Sequence, residues 1–267
     1  MTLFEFKLKD LVDVMPWDDE NGKKLHWFGL TDGYFYMNVN GEQLFHSTDE
    51  IIEYWKNENP EFAPVSNYVD YQVVRSYEDL LYILPNVLQP IPTAVFKHIE
   101  TFNKQVQFEN IFDNYLDFLG EDDEPGDEYF DATEWFYLRR LSTMHLNQGP
   151  DIWFLLHEDQ ILIRWNNKEK HENGIPLWTS TSGECRMKAD SFIEEVNGFH
   201  NNLMLEMERR IDLLHKNNPI PDIRIDLKRL SEEHQERKLS LARTLASKPT
   251  IKNWDIVQSS INKIFSA

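Results

Sequence analysis

Cysteine is almost absent from this sequence of 267 residues, in which Cys185 is the only thiol. A lone cysteine cannot form an intramolecular disulfide, so a small scaffold held by disulfides is excluded. Cys185 follows Glu184 in a predicted strand, and this setting gives no reason for the lowered pKa of a nucleophilic thiol. We therefore expect a cytoplasmic protein with an inert cysteine.

Long apolar runs and glycine-rich loops are also missing. The longest purely apolar run is Ile152 to Leu156, far below the roughly 20 residues of a membrane helix, and residues 1–20 lack the apolar core of a signal peptide. The scattered glycines form neither a Walker A run nor a G-x-G-x-x-G fingerprint. Histidine and acidic residues match no zinc or EF-hand spacing. We expect no membrane attachment, no nucleotide binding by those routes, no cofactor and no metal site.

Positive charge is scarce. The 27 Lys and Arg residues face 46 Asp and Glu residues, which gives a net charge of −19. Residues 200–250 carry +2 and residues 251–267 carry +1, so the first 199 residues carry −22. A phosphate backbone would be repelled by most of this surface, which excludes a general nucleic-acid binder and favours a basic protein as partner.

The remaining composition is that of a folded globular protein, with 41% hydrophobic and 13% aromatic residues. Asn40-Gly41 between two β-rich runs predicts a hairpin over residues 34–45, because both turn positions need a positive φ. Residues 152–164 predict a second hairpin that turns at Glu158-Asp159 and is apolar on both faces. Further strand material is expected over residues 177–187. Short β segments before a helical C-terminal third predict an α+β fold, with antiparallel β-hairpins forming a sheet.

Helices are indicated by caps and by apolar periodicity. Ser47 to Glu50 offers a capping box for a helix that ends near Asn59, and Ser76-x-x-Asp79 offers a second cap after strand-like residues 68–75. Further helices are expected over about 93–119, 226–246 and 251–265. One apolar stripe predicts a helix of about 25 residues. Its members are Phe192, Val196, Phe199, Leu203, Met207, Ile211 and Leu214.

Negative charge is concentrated in residues 105–138, which contain eleven acidic residues and no Lys or Arg. Within it, residues 120–128 combine a run of like charges with Pro125-Gly126 and predict an exposed, mobile loop. The chain is expected to form a single domain over residues 1–267 or two tightly packed halves joined at this loop.

Arg164 stands out because it interrupts an apolar hairpin. A buried arginine needs a carboxylate, an aromatic face or a bound anion, since an unpaired buried charge is costly. The predicted register places Arg164 opposite Trp153, so we expect a structural cation–π contact between them. Asp32 or Asp70 is the expected carboxylate partner.

Four sequence blocks carry a resemblance to a known family. They are His26-Trp27-Phe28-Gly29-Leu30-Thr31-Asp32-Gly33, residues 68–75, residues 163–167 and residues 199–204. With these blocks the chain resembles, over nearly its full length, an uncharacterised bacterial family of unknown function. Residues 120–131 look like an insertion relative to that pattern. The resemblance implies a bacterial cytoplasmic protein, and it implies no activity, cofactor or catalytic residue.

Three hypotheses for function follow. The first is a non-enzymatic cytoplasmic binding protein, such as an immunity-type inhibitor of a basic effector, because acidic surfaces accelerate association with basic partners. Its expected contact residues are Asp122, Asp123, Asp127 and Asp131. The second is an enzyme of unrecognised type, with no known catalytic signature. Its expected pocket residues are His26, Asp32, Asp70 and Arg164. The third is a subunit of a larger assembly joined through the C-terminal helices.

Overall fold

The computed structural model describes residues 2–61, 64, 66–119, 126–251 and 253–266 of the chain. Within these ranges antiparallel strands and helices mix in the first two thirds, and the last third is helical, which confirms the α+β class. Over the same ranges, no helix has the length and apolar character needed to cross a membrane.

The strands of the described residues form two main antiparallel sheets and two short ribbons. In chain order they are β1 (Phe4–Leu8), β2 (Trp17–Asp19), β3 (Gly22–Lys24), β4 (Asp32–Val39), β5 (Glu42–Leu44), β6 (Val69–Gln72), β7 (Ile152–His157), β8 (Gln160–Asn166), β9 (His171–Glu172), β10 (Ile175–Pro176) and β11 (Ser182–Lys188). In the first sheet, β4 pairs with β1 along one edge and with β5 and β6 along the other. In the second sheet, β8 is central between β7 and β11.

Both predicted hairpins are confirmed. Asn40 and Gly41 form the turn between β4 and β5 with φ values of 51° and 89°, the left-handed conformation that this short turn requires. Glu158 has a φ of 54° in the turn between β7 and β8. The register is the predicted one, with Trp153 directly opposite Arg164.

The helices surround these sheets. They are α1 (Asp49–Glu58), α2 (Val73–Val87), α3 (Thr93–Phe96), α4 (Phe102–Leu119), α5 (Asp127–Tyr137), α6 (Ala189–Asn217), α7 (Leu227–Arg237), α8 (Ser240–Leu245) and α9 (Trp254–Phe265). Every member of the predicted apolar stripe is buried on α6. The helices predicted over 93–119 and 226–246 are each interrupted, and become α3 with α4 and α7 with α8.

The N-cap of α1 is Thr48, one residue later than the predicted Ser47. The Thr48 hydroxyl accepts a hydrogen bond from the amide of Ile51 at 3.2 Å. Ser47 still belongs to the extended backbone, because it forms an isolated antiparallel bridge with Trp178. The cap therefore falls on Thr48, whose amide still donates to the Leu177 carbonyl at 3.1 Å while its hydroxyl caps the helix.

Helix α2 begins at Val73, three residues before the predicted cap at Ser76. The hydroxyl of Thr31, from a distant part of the chain, accepts a hydrogen bond from the Val74 amide at 3.3 Å. This contact takes the place of a local cap and shortens the preceding strand to β6. Ser76 and Asp79 consequently lie buried inside the helix.

The second sheet separates two apolar clusters. Ile161, Ile163 and Trp165 pack with the first sheet, α2 and α6, whereas Leu155 and Leu162 pack with α3, α4, α5 and α9. Both faces of the β7–β8 hairpin are therefore buried, as predicted. Each such apolar side chain contributes about 1.5–3 kcal/mol of burial.

The predicted junction of two halves near residues 120–128 falls mainly outside the described residues, which omit 120–125. Its last two residues, Asp127 and Glu128, open α5, where Glu128 forms an ion pair with Lys263 of α9. The C-terminal helix is thereby held against the beginning of α5.

Candidate functional site

A cavity of about 640 Å³ lies against the second sheet, between α4, the end of α5 and strands β7 and β8. Tyr137 and Trp153 form aromatic parts of its wall. Its charged lining residues are Glu109, Asp113, Arg140, Asp151, Lys168 and Glu169. Carboxylates outnumber cations two to one, so the cavity favours a cationic or proton-donating group.

Glu109 lines this cavity from the middle of α4 and is partly buried. Burial raises the pKa of its carboxyl to about 7, and the charges of Asp151 and Asp113 act in the same direction. A hydrogen bond from Gln105 Nε2 to Glu109 Oε1 at 3.5 Å and the charge of Arg140 oppose this rise. At neutral pH the carboxyl is therefore divided between its protonated and ionised forms, and it can accept or donate a proton.

Two cations hold Asp151 at the edge of the cavity. Arg140 forms an ion pair with one carboxylate oxygen of Asp151, and Lys170 Nζ lies 3.1 Å from the other. The Arg140 guanidinium lies over the Trp153 ring, 5.5 Å from its centroid. A backbone bridge between Arg140 and Trp153 fixes the arginine against β7. This wall is therefore an ordered arrangement of charges.

Arg164 lies behind the cavity, with its side chain 0% exposed. Its guanidinium donates to Glu184 Oε2 at 2.9 and 2.7 Å, to Gln105 Oε1 at 2.9 Å, and to the carbonyls of Ile99 at 2.7 Å, Glu100 at 3.3 Å and Thr101 at 3.4 Å. Burial lowers the pKa of Arg164, and the pairing with Glu184 opposes that change. Gln105 accepts from Arg164 and donates to Glu109, so Arg164 helps to position the cavity carboxyl through one amide.

The structure corrects both partners predicted for Arg164. Its carboxylate is Glu184 and not Asp32 or Asp70, because Glu184 stands directly opposite Arg164 in the β8–β11 ladder. The cation over Trp153 is Arg140, since the Arg164 guanidinium is bound to the carbonyls of the loop that precedes α4. Arg164 is nevertheless buried and paired with a carboxylate, as the sequence predicts.

The other residues predicted for an alternative pocket have different partners. Asp32 and Asp70 meet at Lys9, whose Nζ lies 3.1 Å from Asp32 and 2.5 Å from Asp70. Burial raises the pKa of Asp32, and its bond with Lys9 opposes the rise. His26 stacks on Trp17 with ring centroids 4.5 Å apart and lines a separate groove near α7. The structure thus joins Asp32 to Asp70 and gives His26 and Arg164 other partners.

The aspartates predicted to contact a basic partner are only partly described. Asp122 and Asp123 lie outside the described residues. Asp127 is exposed in the first turn of α5, and Asp131 is partly exposed in the next turn. Because Tyr137 at the end of α5 lines the cavity, this one helix carries both acidic residues and part of the cavity wall.

Trp153 contributes an unused hydrogen-bond donor. Its indole Nε1 is buried and has no acceptor among the described residues. A buried donor without an acceptor costs about 1–3 kcal/mol. The nitrogen has almost no solvent-accessible surface, so Trp153 contributes the apolar part of its ring to the cavity wall.

Sequence reasoning missed Glu109, Arg140 and Asp151 because their segments meet only in the folded chain. Glu109 lies in the acidic region of residues 105–138 and has no sequence motif of its own. The available signal was its position beside Phe108 and Phe112, which are both buried on α4. A carboxyl next to such an apolar stripe is a candidate for a raised pKa.

Two other kinds of site come into question, a metal site and a larger groove beside α6. Over the described ranges, no group of three or more His, Cys, Asp or Glu side chains is placed to hold a metal ion. A larger groove of about 970 Å³ lies between β1 and α6. Its Arg210 donates to the carbonyls of Leu30 and Lys9, so that cation is used within the fold.

Comparison with protein-family models matches residues 3–260 to a family of unknown function, DUF5984. The match covers nearly the whole chain, so the chain belongs to this family. Searches of curated proteins and of solved structures found no significant match.

Proposed function

We propose that this chain is a non-enzymatic binding protein that captures a basic protein partner, in the manner of an immunity-type inhibitor of a basic effector. The observation that carries the proposal is the carboxylate-lined cavity, which contains Glu109 and adjoins the acidic helix α5. The first 199 residues carry −22, so the field around the cavity attracts cations. With a single cysteine, the cytoplasm is the compartment that we propose.

A cationic side chain in the cavity would change the state of Glu109. Burial raises the pKa of Glu109 and the charge of Arg140 only partly opposes this, whereas a further guanidinium or ammonium group in the cavity would favour the carboxylate. Binding of a basic partner is therefore coupled to release of a proton from Glu109. Affinity should increase as the pH rises from 5 to 8, because the proton is then lost before the partner binds.

The test begins with affinity capture from the native host, followed by association kinetics over a range of salt concentrations. Replacing Asp122, Asp123, Asp127 and Asp131 together with asparagine should slow association about tenfold at low salt and flatten its salt dependence. Dissociation should change less, because these side chains act mainly during approach.

The matched control removes four charges from a different surface. Glu50, Glu53, Glu58 and Glu61 are exposed on and beside α1. Their replacement with glutamine should slow association much less than the four aspartate changes. Equal slowing in both variants would show that only net charge matters, and an unchanged rate in both would contradict an electrostatic role.

A second candidate function is catalysis in the same cavity. It is favoured by one observation, that a carboxyl with a pKa of about 7 lines a cavity of small-molecule size. Glu109 would act as a general acid or base toward a substrate bound in the cavity.

This candidate predicts a specific kinetic result. A hydrolase screen should reveal a turnover that Glu109→Gln reduces at least a hundredfold, whereas Asp113→Asn retains most of it. Its pH profile should contain an apparent pKa near 7 that is absent from the glutamine variant. A turnover that persists in Glu109→Gln would contradict this mechanism.

A further inference from the structure

A second cavity has the opposite electrostatic character. It measures about 660 Å³ and lies between the segment after β3, the loop before α7 and α7 itself. Its charged lining residues are Lys24, Arg224, Asp226, Arg229, Glu233 and Arg237. Of the four cations, Lys24, Arg224 and Arg237 have carboxylate partners, whereas Arg229 has none among the described residues. We call it the cationic groove.

The backbone fixes the cations of one wall. The Leu25 amide donates to the Arg224 carbonyl at 3.1 Å, and the Arg224 amide donates to the Lys23 carbonyl at 3.0 Å. This pairing places Arg224 beside Lys24, and both side chains share the single carboxylate of Asp19. One positive charge is left in excess at this wall.

The cations of α7 form the opposite wall. Arg237 lies over the Trp27 ring, 4.2 Å from its centroid, and bonds to Glu233 and Glu78. Arg229, in the first turn of α7, is exposed, and its side chain has no carboxylate partner among the described residues. A guanidinium without a partner presents its donors to an anion in a fork that suits phosphate or carboxylate.

An aromatic surface completes the groove. His26 and Phe28 line it, and the His26 ring stacks on Trp17 with an interplanar angle of 12°. Gly29 permits this arrangement, because a Cβ there would lie 2.2 Å from the Trp17 ring. Burial lowers the pKa of His26, which favours the neutral ring. Because His26 is also exposed, its ring is placed to stack on a planar group.

We propose that the cationic groove binds a free nucleoside phosphate, with the phosphate at Arg229 and Arg224 and the base against His26 and Phe28. The volume is that of a small-molecule site. A nucleic-acid polymer is disfavoured because its flanking phosphates would meet the acidic remainder of the surface. This site is independent of the acidic cavity and of the function proposed for it.

The test measures binding of adenosine and guanosine phosphates to the full chain by calorimetry, with inorganic phosphate and a short single-stranded oligonucleotide as separate arms. We expect saturable binding of at least one nucleotide with a dissociation constant of about 1 mM or below. Arg229→Gln should weaken it about tenfold. His26→Ala should reduce the preference for the nucleotide over inorganic phosphate.

Arg209→Gln is the matched control, because Arg209 is an exposed arginine on α6 whose ion pair with Glu206 lies outside the cationic groove. It should bind nucleotide as the unaltered chain does. The proposal is overturned if no nucleotide binds saturably, if Arg229→Gln binds as well as the unaltered chain, or if inorganic phosphate or the oligonucleotide binds at least as tightly as the nucleotides.

Discussion

Replacing Glu109 with glutamine should stabilise the protein at pH 8 and have much less effect at pH 5. The carboxyl pKa rises from 4.5, its ordinary value, to about 7 in the folded chain. Because the folded state holds this proton more tightly, raising the pH removes it from the unfolded chain first. The resulting destabilisation is absent well below pH 4.5, grows between pH 4.5 and 7, and is complete above that range.

The expected magnitude follows from this difference in pKa. At about 1.4 kcal/mol per pH unit, ionisation of Glu109 costs the folded state about 3 kcal/mol at pH 8 and less than about 1 kcal/mol at pH 5. Glutamine has nearly the same shape and cannot ionise. The effect of Glu109→Gln on the free energy of unfolding should therefore be about 2 kcal/mol more favourable at pH 8 than at pH 5.

Urea unfolding followed by tryptophan fluorescence measures this quantity at each pH. Comparing the two proteins removes contributions from other groups, such as Asp79, whose pKa is raised to about 6 by burial. Asp113→Asn is the control, since Asp113 is exposed and lines the same cavity. If Glu109→Gln changes stability by the same amount at pH 5 and pH 8, Glu109 ionises normally and our description of the cavity is wrong.

Two further changes test the fold around the site. Arg164→Met should lower the free energy of unfolding by about 3 kcal/mol in urea titrations, because it leaves buried acceptors unpaired. Glu184→Gln should cost less than Arg164→Met, about 1–2 kcal/mol, because the glutamine oxygen still accepts from Arg164 although the buried guanidinium loses its carboxylate, and equal losses would contradict this account. Thr48→Ala should cost about 1 kcal/mol and lower the melting temperature, whereas Ser47→Ala should not remove the cap. A larger loss of stability in Ser47→Ala than in Thr48→Ala would show that Ser47 is the N-cap.

Local chemistry explains which elements could be predicted from the sequence. Asn40-Gly41 specifies its own turn, and the apolar stripe of α6 needs only helical periodicity. The start of α2 could not be predicted, because Thr31, which accepts from its first turn, lies more than forty residues away in the sequence. A pattern read over a few residues contains no information about such a contact.

The candidate site was harder to predict for the same reason. The need of Arg164 for a carboxylate follows from its apolar surroundings, but the choice of Glu184 depends on the pairing of β8 with β11. Glu109 acquires its raised pKa only when folding buries its carboxyl, and the nearby charge of Asp151 adds to the effect. The segments that line the candidate site come together only on folding. Its position therefore could not be predicted from the charge of the sequence.

The hairpin between the two apolar clusters also bears on how the chain avoids misfolding. A shift of one residue in the β7–β8 pairing would exchange the side chains that face the two clusters, and both sets are almost entirely apolar. Hydrophobicity alone would therefore distinguish poorly between the correct register and a register shifted by one residue. Arg164 breaks that near-symmetry, because on one side it finds Glu184 and the carbonyls before α4, and on the other it would enter an apolar cluster unpaired. A single charged side chain thus determines which face of the hairpin packs toward α4, although both faces are buried.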